Sequence, residues 1–358
     1  MGLGAIVVVG AGRGSINGFS PEVHGDSFLS GSIETAEILG RSTIERTIER
    51  LVRAGVETVT LLVPRGKQIP AFTAKFHNVA GMIVDDMAVA IAQQLSNYSQ
   101  KSIEHSFIVA GNLYAEADLL DLFYFHREAR QVATRAINGS GPLDLWVVDC
   151  AKAQHSDFEN LLTSAGVSGT TYFIRDYVMQ LREPRDLRKL ASDALSKRCA
   201  LRPGGIEIRT GVWVEEGADV HKRARIIAPA YIGRDSKIEE DALITRCSSI
   251  ERNCCIDCGT VIEDSSILAN TQIGIWLDVC HAVTNGNKLL SLQHEVIVEI
   301  TDPNVMHATG SIAKGDRGLV RSYQQEFEQR QTVADLIQEQ SPLRQTRSLQ
   351  PILSRGGD

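Results

Sequence analysis

The sequence predicts an α/β domain followed by a parallel β-helix, a fold in which short strands wind round a central axis. Strand and helix patterns alternate through the first half, which is typical of a mostly parallel sheet with helices on both faces. Beyond the break at Pro203–Gly205, branched apolar residues recur at every sixth position, which is typical of hexapeptide repeats. We therefore expect an α/β domain over residues 1–203, a repeat domain over 204–300 and a polar, partly helical tail over 301–358.

The first half contains four strand patterns and four helix patterns. Short apolar runs bounded by glycine or proline indicate strands, and apolar residues three and four positions apart indicate helices. The predicted strands are Ala5–Val9, Val56–Val63, Ser106–Ala110 and Leu145–Val148. The predicted helices cover residues 43–54, 88–95, 117–130 and 186–196. Ser42 or Thr43 could provide the N-cap of the first helix.

Two sets of positions carry the hexapeptide repeat. The branched or apolar set is Val214, Val220, Ile226, Ile232, Ile238, Ile244, Ile250, Ile256, Ile262 and Leu268. The small set, four positions later each time, is Ala218, Ala224, Ala230, Ser236, Ala242, Ser248, Cys254, Thr260 and Ser266. We expect the first set to fill a narrow prism and the second to lie near its axis, where larger side chains would overpack. Three hexads per coil predict about three coils, with the period lost beyond Gly274.

Composition narrows the function classes. The net charge of −7 disfavours a general nucleic-acid or anionic-membrane binder, because such proteins need excess cations. No apolar run approaches the length that crosses a bilayer, and the first residues lack the basic stretch of a signal peptide. The seven cysteines are an odd number without an export signal, so we expect reduced thiols and a cytoplasmic location.

Glycines at positions 10, 12 and 14 follow the first strand, and two interpretations compete. A dinucleotide-binding turn would need its third glycine where the chain has Ser15, and a ribose-binding acid where Pro64 follows the second strand. Alternatively, the backbone N–H groups of the loop hold a nucleoside triphosphate. The second interpretation requires fewer exceptions, and we prefer it.

Three stretches resemble the sugar-1-phosphate nucleotidyltransferases, the pyrophosphorylases that make nucleotide sugars. "AIVVVGAGRGS" followed by "ILGRSTIERTIERLVRAGVETVTLLV" resembles their opening, and "FIVAGNLYAEADLLDLFYFHREAR" resembles their second landmark. Many members end in a left-handed parallel β-helix, and "EIRTGVWVEEGADVHKRARIIAPAYIG" lies where theirs begins. The resemblance covers about residues 4–65, 104–130 and 172–275. It implies a GT-A, Rossmann-like nucleotidyltransferase domain, a left-handed β-helix and a homo-oligomer.

The resemblance also implies a reaction and a site. An oxygen of a sugar 1-phosphate attacks the α-phosphate of a nucleoside triphosphate and releases pyrophosphate, which requires positioning and charge neutralisation. The implied nucleotide-binding residues are Gly10, Ala11, Gly12, Arg13, Gly14, Ser15, Asp86, Gly111 and Asn112. Here Gly111 and Asn112 fall where the family has Gly-Asp, and the stretch from Asp86 to Ile91 falls where it has its base-reading Gly-Thr-Ala, which this chain lacks.

Several of the charged positions that the family uses depart from its pattern. The family's arginine falls on Ile16, its Pro-Lys lysine is missing because the first lysine is Lys67, and its magnesium aspartate falls on Asn112. A neutral amide is a poorer Mg²⁺ ligand than a carboxylate. Each lost contact would raise the barrier by about 2–4 kcal/mol. Arg13 could replace the missing cation, and Asp26 or Asp86 could recruit Mg²⁺.

We therefore expect a degraded site in a protein that binds a nucleotide or sugar phosphate and acts as a regulatory or assembly subunit. One alternative is an active nucleotidyltransferase with altered residues. Another is an acyltransferase that works at the β-helix, with a histidine such as His281 as general base. Cys255 and Cys258 have a zinc-type spacing, but Cys254 lies in the small-residue set, so we expect packing thiols and no metal there.

Overall fold

The computed structural model describes residues 2–10, 28–29, 31–153 and 170–309, which belong to one unit, residues 1–309. Within that part of the chain, no helix is long and apolar enough to cross a membrane. The helix expected in the tail falls on residues 310–358, outside the described residues. The architecture is mixed α/β with many strands, few helices and a sheet rich in parallel pairs.

The first part alternates strands and helices. Its elements are β1 (Gly2–Val8), β2 (Glu37–Ile38), β3 (Arg41–Ser42), α1 (Thr43–Arg53), β4 (Thr58–Pro64), β5 (Val79–Val84), α2 (Met87–Gln100), β6 (Ile103–Ala110), β7 (Leu113–Ala115), α3 (Leu119–Ala129), β8 (Ala133–Asn138), β9 (Gly141–Asp149), α4 (Cys150–Ala153), β10 (Thr170–Phe173), β11 (Val178–Gln180) and α5 (Pro184–Leu195). Two short 3₁₀ helices cover Ile33–Thr35 and Ala71–Lys75.

Seven of these strands form one sheet in the order β10-β8-β9-β6-β1-β4-β5. Neighbouring strands are parallel except at β9, which is antiparallel to both β6 and β8. The strand predicted over Leu145–Val148 therefore exists, but its hairpin with β8 interrupts the parallel order. Periodicity reveals a strand and leaves its direction open, because direction depends on the connection.

Both faces of the sheet are covered. In β1, Ala5 and Val7 contribute to the core beneath α1 and α3, whereas Ile6 and Val8 contribute to the core beneath α2. This explains the unbroken apolar run at the start of the sequence, since strands buried on both faces do not alternate with polar residues.

Helix α1 begins and ends where the local chemistry predicts. Ser42 is the N-cap, and its side chain accepts a hydrogen bond from the backbone N–H of Glu45 at 3.2 Å. The helix ends at Arg53, and Gly55 follows with φ of +86°, a conformation that glycine adopts without steric cost.

The second part consists of short strands distributed over three sheets. Its strands are β12 (Ile206–Arg209), β13 (Val212–Val214), β14 (Asp219–Val220), β15 (Arg225–Ile226), β16 (Ala230–Ile232), β17 (Lys237–Ile238), β18 (Leu243–Thr245), β19 (Ser249–Ile250), β20 (Cys255–Ile256), β21 (Val261–Glu263), β22 (Ser266–Ile267), β23 (Thr271–Ile273), β24 (Asp278–Cys280), β25 (Ala282–Asn285), β26 (Lys288–Ser291), β27 (Val296–Glu299) and β28 (Met306–Ala308). The sheet orders are β12-β13-β16-β19-β22-β25-β26-β27, β14-β17-β20-β23-β28 and β15-β18-β21-β24. We call three successive strands, one in each sheet, a coil.

The coil shortens by one residue after Ile250, and two sequence predictions are wrong there. Ile232 lies opposite Ile250, which is three hexads along the chain, but Ile250 lies opposite Ile267 and not opposite Leu268. Ile267 therefore fills the interior in place of the expected Leu268, which packs outside it against the helix α5. The parallel coils also continue beyond Gly274 through β24 and β25. The six-residue period does not reveal them, because each coil in this region is one residue shorter than three hexads.

The small residues near the axis have a second role. Four hydroxyls each accept a backbone N–H from the following coil, at 3.0–3.3 Å. The pairs are Ser236 with Cys254, Ser248 with Ser265, Thr260 with Leu277, and Ser265 with Ala282. The one-residue shortening explains why Ser265, and not the expected Ser266, takes the fourth place.

Helix α5 joins the two parts. Leu187 and Leu190 of α5 share a core with Tyr231, Leu268 and Val283 of the coils. The buried Arg188 donates to the carbonyl oxygens of Asp264 and Cys247 and forms an ion pair with the Asp264 carboxylate. The expected boundary between residues 203 and 204 thus lies within one continuous core.

Candidate functional site

The candidate site lies where β1 and β6 end side by side. Val8 of β1 is paired with Ala110 of β6, and the Gly111 N–H donates to the Val8 carbonyl oxygen at 2.7 Å. Gly10 and Asn112, far apart in sequence, therefore emerge at the same edge of the sheet, where parallel α/β folds place their ligands. Of the other predicted loop residues, Ala11, Gly12, Arg13, Gly14, Ser15 and Asp26 lie outside the described residues.

A buried carboxylate already occupies this edge. Glu34, only 2% exposed, accepts a hydrogen bond from the backbone N–H of Gly10. The backbone of Glu34 is held by Thr43. The Thr43 hydroxyl donates to the Glu34 carbonyl oxygen at 3.1 Å and lies 3.0 Å from the carbonyl oxygen of Gly111. The Gly10 amide would otherwise be available for an anionic ligand such as a phosphate.

Asn112 is held by the protein backbone. It is 4% exposed, its Nδ2 donates to the Leu181 carbonyl oxygen at 3.0 Å, and the Leu181 N–H donates to the Asn112 carbonyl oxygen at 2.8 Å. Its Oδ1 is buried and has no hydrogen-bond partner among the described residues. The side chain therefore fastens β6 to the segment before α5, and an amide is suited to this because a carboxylate would face the Leu181 oxygen.

A cation lies near Gly10. The Nζ atom of Lys67, on the turn after β4, is 4.0 Å from the position that a Cβ would occupy on Gly10. The sequence suggested that a lysine was missing here, because the first lysine in the chain comes so late. The turn after β4 supplies one from an adjacent strand. Neither Lys67 nor Glu34 belongs to a motif, and only the pairing of β1 with β4 brings this lysine to the same edge.

Asp86 is further along the same edge. It follows the edge strand β5 and is the N-cap of α2, with its Oδ1 accepting the Val89 N–H at 3.0 Å. It is exposed, so its carboxylate is positioned as a helix cap two strands away from β1.

The described residues at this edge do not fit a Mg²⁺ ion. Magnesium requires several oxygen ligands in an octahedral arrangement, usually including carboxylates. Glu34 is bound to the Gly10 amide, Asn112 to Leu181, and Asp86 to its helix. Across the described ranges, no group of three His, Cys, Asp or Glu residues could hold a metal ion.

The cysteine and histidine candidates of the coils have local partners. The Cys255 thiol contacts Asp257 Oδ1 at 3.3 Å, and burial raises its pKa. The Cys254 thiol donates to the Leu268 carbonyl oxygen at 3.1 Å inside the coils. His281 differs, because its side chain is partly exposed and its Nδ1 is 2.6 Å from Asp264 Oδ2.

Comparison of the chain with protein-family models finds no matching model, and comparison with curated proteins finds no matching protein.

Proposed function

We propose that this chain is a nucleotidyltransferase-like protein of nucleotide-sugar metabolism that binds a nucleotide or sugar phosphate without transferring the nucleotidyl group. In this proposal residues 1–203 have the fold of the sugar-1-phosphate nucleotidyltransferases and residues 204–300 form a left-handed parallel β-helix. The protein acts as a regulatory or assembly subunit, as a homo-oligomer. A largely parallel sheet followed by coils that pass through three sheets in turn supports this architecture.

The observation that carries the proposal is the contact between Gly10 and Glu34. Nucleotidyl transfer builds negative charge on phosphate oxygens, and enzymes stabilise it with backbone N–H groups, cations and metal ions. Here the amide at the end of β1 is bound to a carboxylate of the same chain. That carboxylate repels phosphate and accepts the N–H group that phosphate would need. Phosphate binding should therefore be weak, and the transition state of nucleotidyl transfer should lack a backbone donor.

Isothermal titration calorimetry with nucleoside triphosphates, sugar 1-phosphates and nucleotide sugars, each with and without Mg²⁺, tests the proposal. We expect a weak ligand whose affinity changes little with Mg²⁺. Glu34→Ala should bind it about tenfold more tightly, because it frees the Gly10 N–H and removes a negative charge, a gain of about 1.4 kcal/mol. Glu104→Ala, an exposed acid at the opposite end of β6, is the matched control and should bind as wild type does.

Two results would contradict this interpretation. Tight, Mg²⁺-dependent binding that Glu34→Ala leaves unchanged would favour the active enzyme with altered residues. If neither wild type nor Glu34→Ala binds any of these ligands, the protein does not bind a nucleotide or sugar phosphate at this site.

His281 provides a second candidate function. Asp264 holds its Nδ1 and is itself paired with the buried Arg188, so the Nε2 of the imidazole is left to act as a base. A histidine oriented by a carboxylate is a common general-base arrangement. Turnover of acetyl-CoA with an amine or alcohol acceptor that is lost in His281→Gln and kept in His221→Gln would support an acyltransferase. Equal rates in both variants would exclude this role for His281.

A further inference from the structure

The hairpin of β2 and β3 rests on a buried carboxylate of the coils. Glu251, at the end of β19, accepts the Leu39 N–H on Oε1 at 2.8 Å and the Gly40 N–H on Oε2 at 3.0 Å. Glu251 is 1% exposed, and its two acceptor bonds hold the turn of the hairpin.

Two more carboxylates and a phenol converge on the same turn. A Cβ placed on Gly40 would overlap Glu215 Oε1 and lie 2.6 Å from Tyr231 Oη. Glu37, on β2, has one oxygen paired with Arg252 at 2.7 Å and a second oxygen that is buried without a hydrogen-bond partner among the described residues. We call Glu37, Glu215, Glu251 and Tyr231 the carboxylate seam.

The Tyr231 hydroxyl lies among these carboxylates. Tyr231 is fully buried, and burial, followed by the charges of Glu251 and Glu215, raises the pKa of its phenol, so it remains a donor to a carboxylate. Glu37 Oε2, which is buried without a hydrogen-bond partner among the described residues, lacks a donor. A protonated carboxyl group at Glu215 or Glu251 would be a donor in the seam, which a carboxylate cannot be.

The surrounding charges do not balance three carboxylates. The cations that face the seam are Arg252, paired with Glu37, and Arg46 of α1, which donates to the carbonyl oxygens of Ile38 and Leu39. The charge of Arg41 contributes to lowering the pKa of Arg46. The carboxylate of Glu45 on α1 contributes to raising the pKa of Glu37, and Glu45 itself forms an ion pair with Lys75. Arg234 contributes only its backbone N–H, to Glu215 Oε2.

We propose that the carboxylate seam holds one proton, shared around Glu251, and that releasing this proton to solvent loosens the docking of the β2–β3 hairpin on the coils. The proton neutralises one of the three carboxylates that meet here, of which only Glu251 is fully buried. Once it leaves, Glu37 on the hairpin and Glu215 and Glu251 on the coils carry like charges across the seam. Desolvation is the main cause that raises the pKa of Glu251, to about 7, with Glu37 and Glu215 contributing.

Loosening of the β2–β3 hairpin would also affect the candidate site, because the two are connected by a short stretch of chain. Glu34, which binds the Gly10 N–H, lies in the 3₁₀ helix immediately before β2. One short segment therefore contacts both the end of β1 and the carboxylate seam. Loosening the hairpin would weaken the hold of Glu34 on Gly10 and expose that amide to ligands as the pH rises. The inference about the seam stands whether or not the protein transfers nucleotides.

Hydrogen exchange of the Leu39 and Gly40 amides tests the proposal on the whole protein between pH 5.5 and 8.5. After correction for intrinsic exchange, protection should fall by up to about tenfold per pH unit as the pH rises from 5.5, the limit for one proton, and should level off beyond a midpoint near 7, above which the closed state has lost the proton too. Glu215→Gln should move that midpoint to lower pH, because a neighbouring negative charge is gone. Glu216→Gln, an exposed neighbour, should leave it unchanged.

Glu251→Gln should abolish the pH dependence. If that variant does not fold, Glu215→Gln decides, since a merely structural Glu215 would change the protection without moving the midpoint. Protection that does not depend on pH in wild type would overturn the proposal, as would a midpoint that Glu215→Gln leaves in place.

Discussion

Thr260 and Thr284 are both fully buried in the coils, but their hydroxyls differ in hydrogen bonding. Thr260 Oγ1 donates to the Gly274 carbonyl oxygen at 2.6 Å and accepts the Leu277 N–H at 3.1 Å. Thr284 Oγ1 has no hydrogen-bond partner among the described residues. The same threonine-to-valine change therefore has opposite physical consequences at the two positions.

Thr260→Val should lower the free energy of unfolding by about 1–3 kcal/mol, because it leaves two buried backbone groups without their partner. Thr284→Val should change it by less than about 0.5 kcal/mol or raise it, because no bond is lost. Urea titration of each variant measures the difference. An equal loss of unfolding free energy in both variants would show that the two hydrogen bonds of the Thr260 hydroxyl do not contribute to stability.

His126 makes stability depend on pH. It is buried between α3 and the sheet, with its Nδ1 2.9 Å from the Thr134 hydroxyl. Burial, followed by the neighbouring His105, lowers the pKa of His126 from 6.5 to about 4. Between pH 6.5 and pH 4 the imidazole of His126 is protonated in the unfolded chain and neutral in the folded protein. The free energy of unfolding is therefore unaffected by this group above pH 6.5 and decreases as the pH falls towards 4.

His126→Gln should therefore flatten the decline in unfolding free energy between pH 6.5 and pH 4. The wild-type decline due to this group is about 3 kcal/mol at pH 4. The pH dependence of the urea midpoint measures it, with the exposed His294→Gln as control. The account of His126 fails if both variants keep the wild-type slope.

Single residues at the candidate site were only partly predictable. The position of Gly10 after an apolar strand and of Asn112 at a second strand end is visible in the sequence, because both follow regular patterns. Glu34 and Lys67 could not be found this way. Neither belongs to a motif: Glu34 lies in a short 3₁₀ helix and Lys67 in a turn, and only the packed fold brings them to Gly10.

At the scale of elements, the β2–β3 turn depends on glycine for two separate reasons. Gly40 has φ of +89°, and a Cβ there would overlap Glu215 Oε1. Gly55, at the end of α1, has φ of +86° with no atom within 4 Å of its Cβ position. The two glycines share the backbone requirement, and only Gly40 has the steric one.

Gly55→Ala should lower the free energy of unfolding by about 1–2 kcal/mol, the cost of a left-handed conformation. Gly40→Ala should lower it by about 1–3 kcal/mol more, because its methyl group displaces the carboxylate seam. Thermal or urea unfolding compares them. If Gly40→Ala proves no worse than Gly55→Ala, the turn is less tightly packed on the coils than the structure indicates.

The main helices and four of the seven strands of the first sheet were predictable, whereas β5, β8 and β10 were not predicted. The helices α1, α3 and α5 lie within two residues of their predicted bounds, because each combines a cap or break with an apolar face, whereas α2 continues to Gln100, five residues beyond its predicted end. The shortening of the coil after Ile250 was not predictable, since Ile267 and Leu268 are equally apolar. Only the helix packed outside the coils distinguishes the two.

At the scale of the whole molecule, the two parts depend on one another. Helix α5, the β2–β3 hairpin and the coils share buried contacts across the Pro/Gly break. Composition and repeats indicate the two architectures, but a shared core involves contacts between residues far apart in sequence, which no local pattern records.

We propose that nucleotidyl transfer does not occur, because Gly10 after β1 is bound by Glu34 and Asn112 is bound by Leu181. Incubation with nucleoside triphosphates labelled at the α-phosphate, a panel of sugar 1-phosphates and Mg²⁺, followed by separation of labelled nucleotide sugars, tests it most directly. We predict no labelled nucleotide sugar above the protein-free control. Robust formation of a nucleotide sugar with release of pyrophosphate, lost in Asn112→Ala, would contradict the claim.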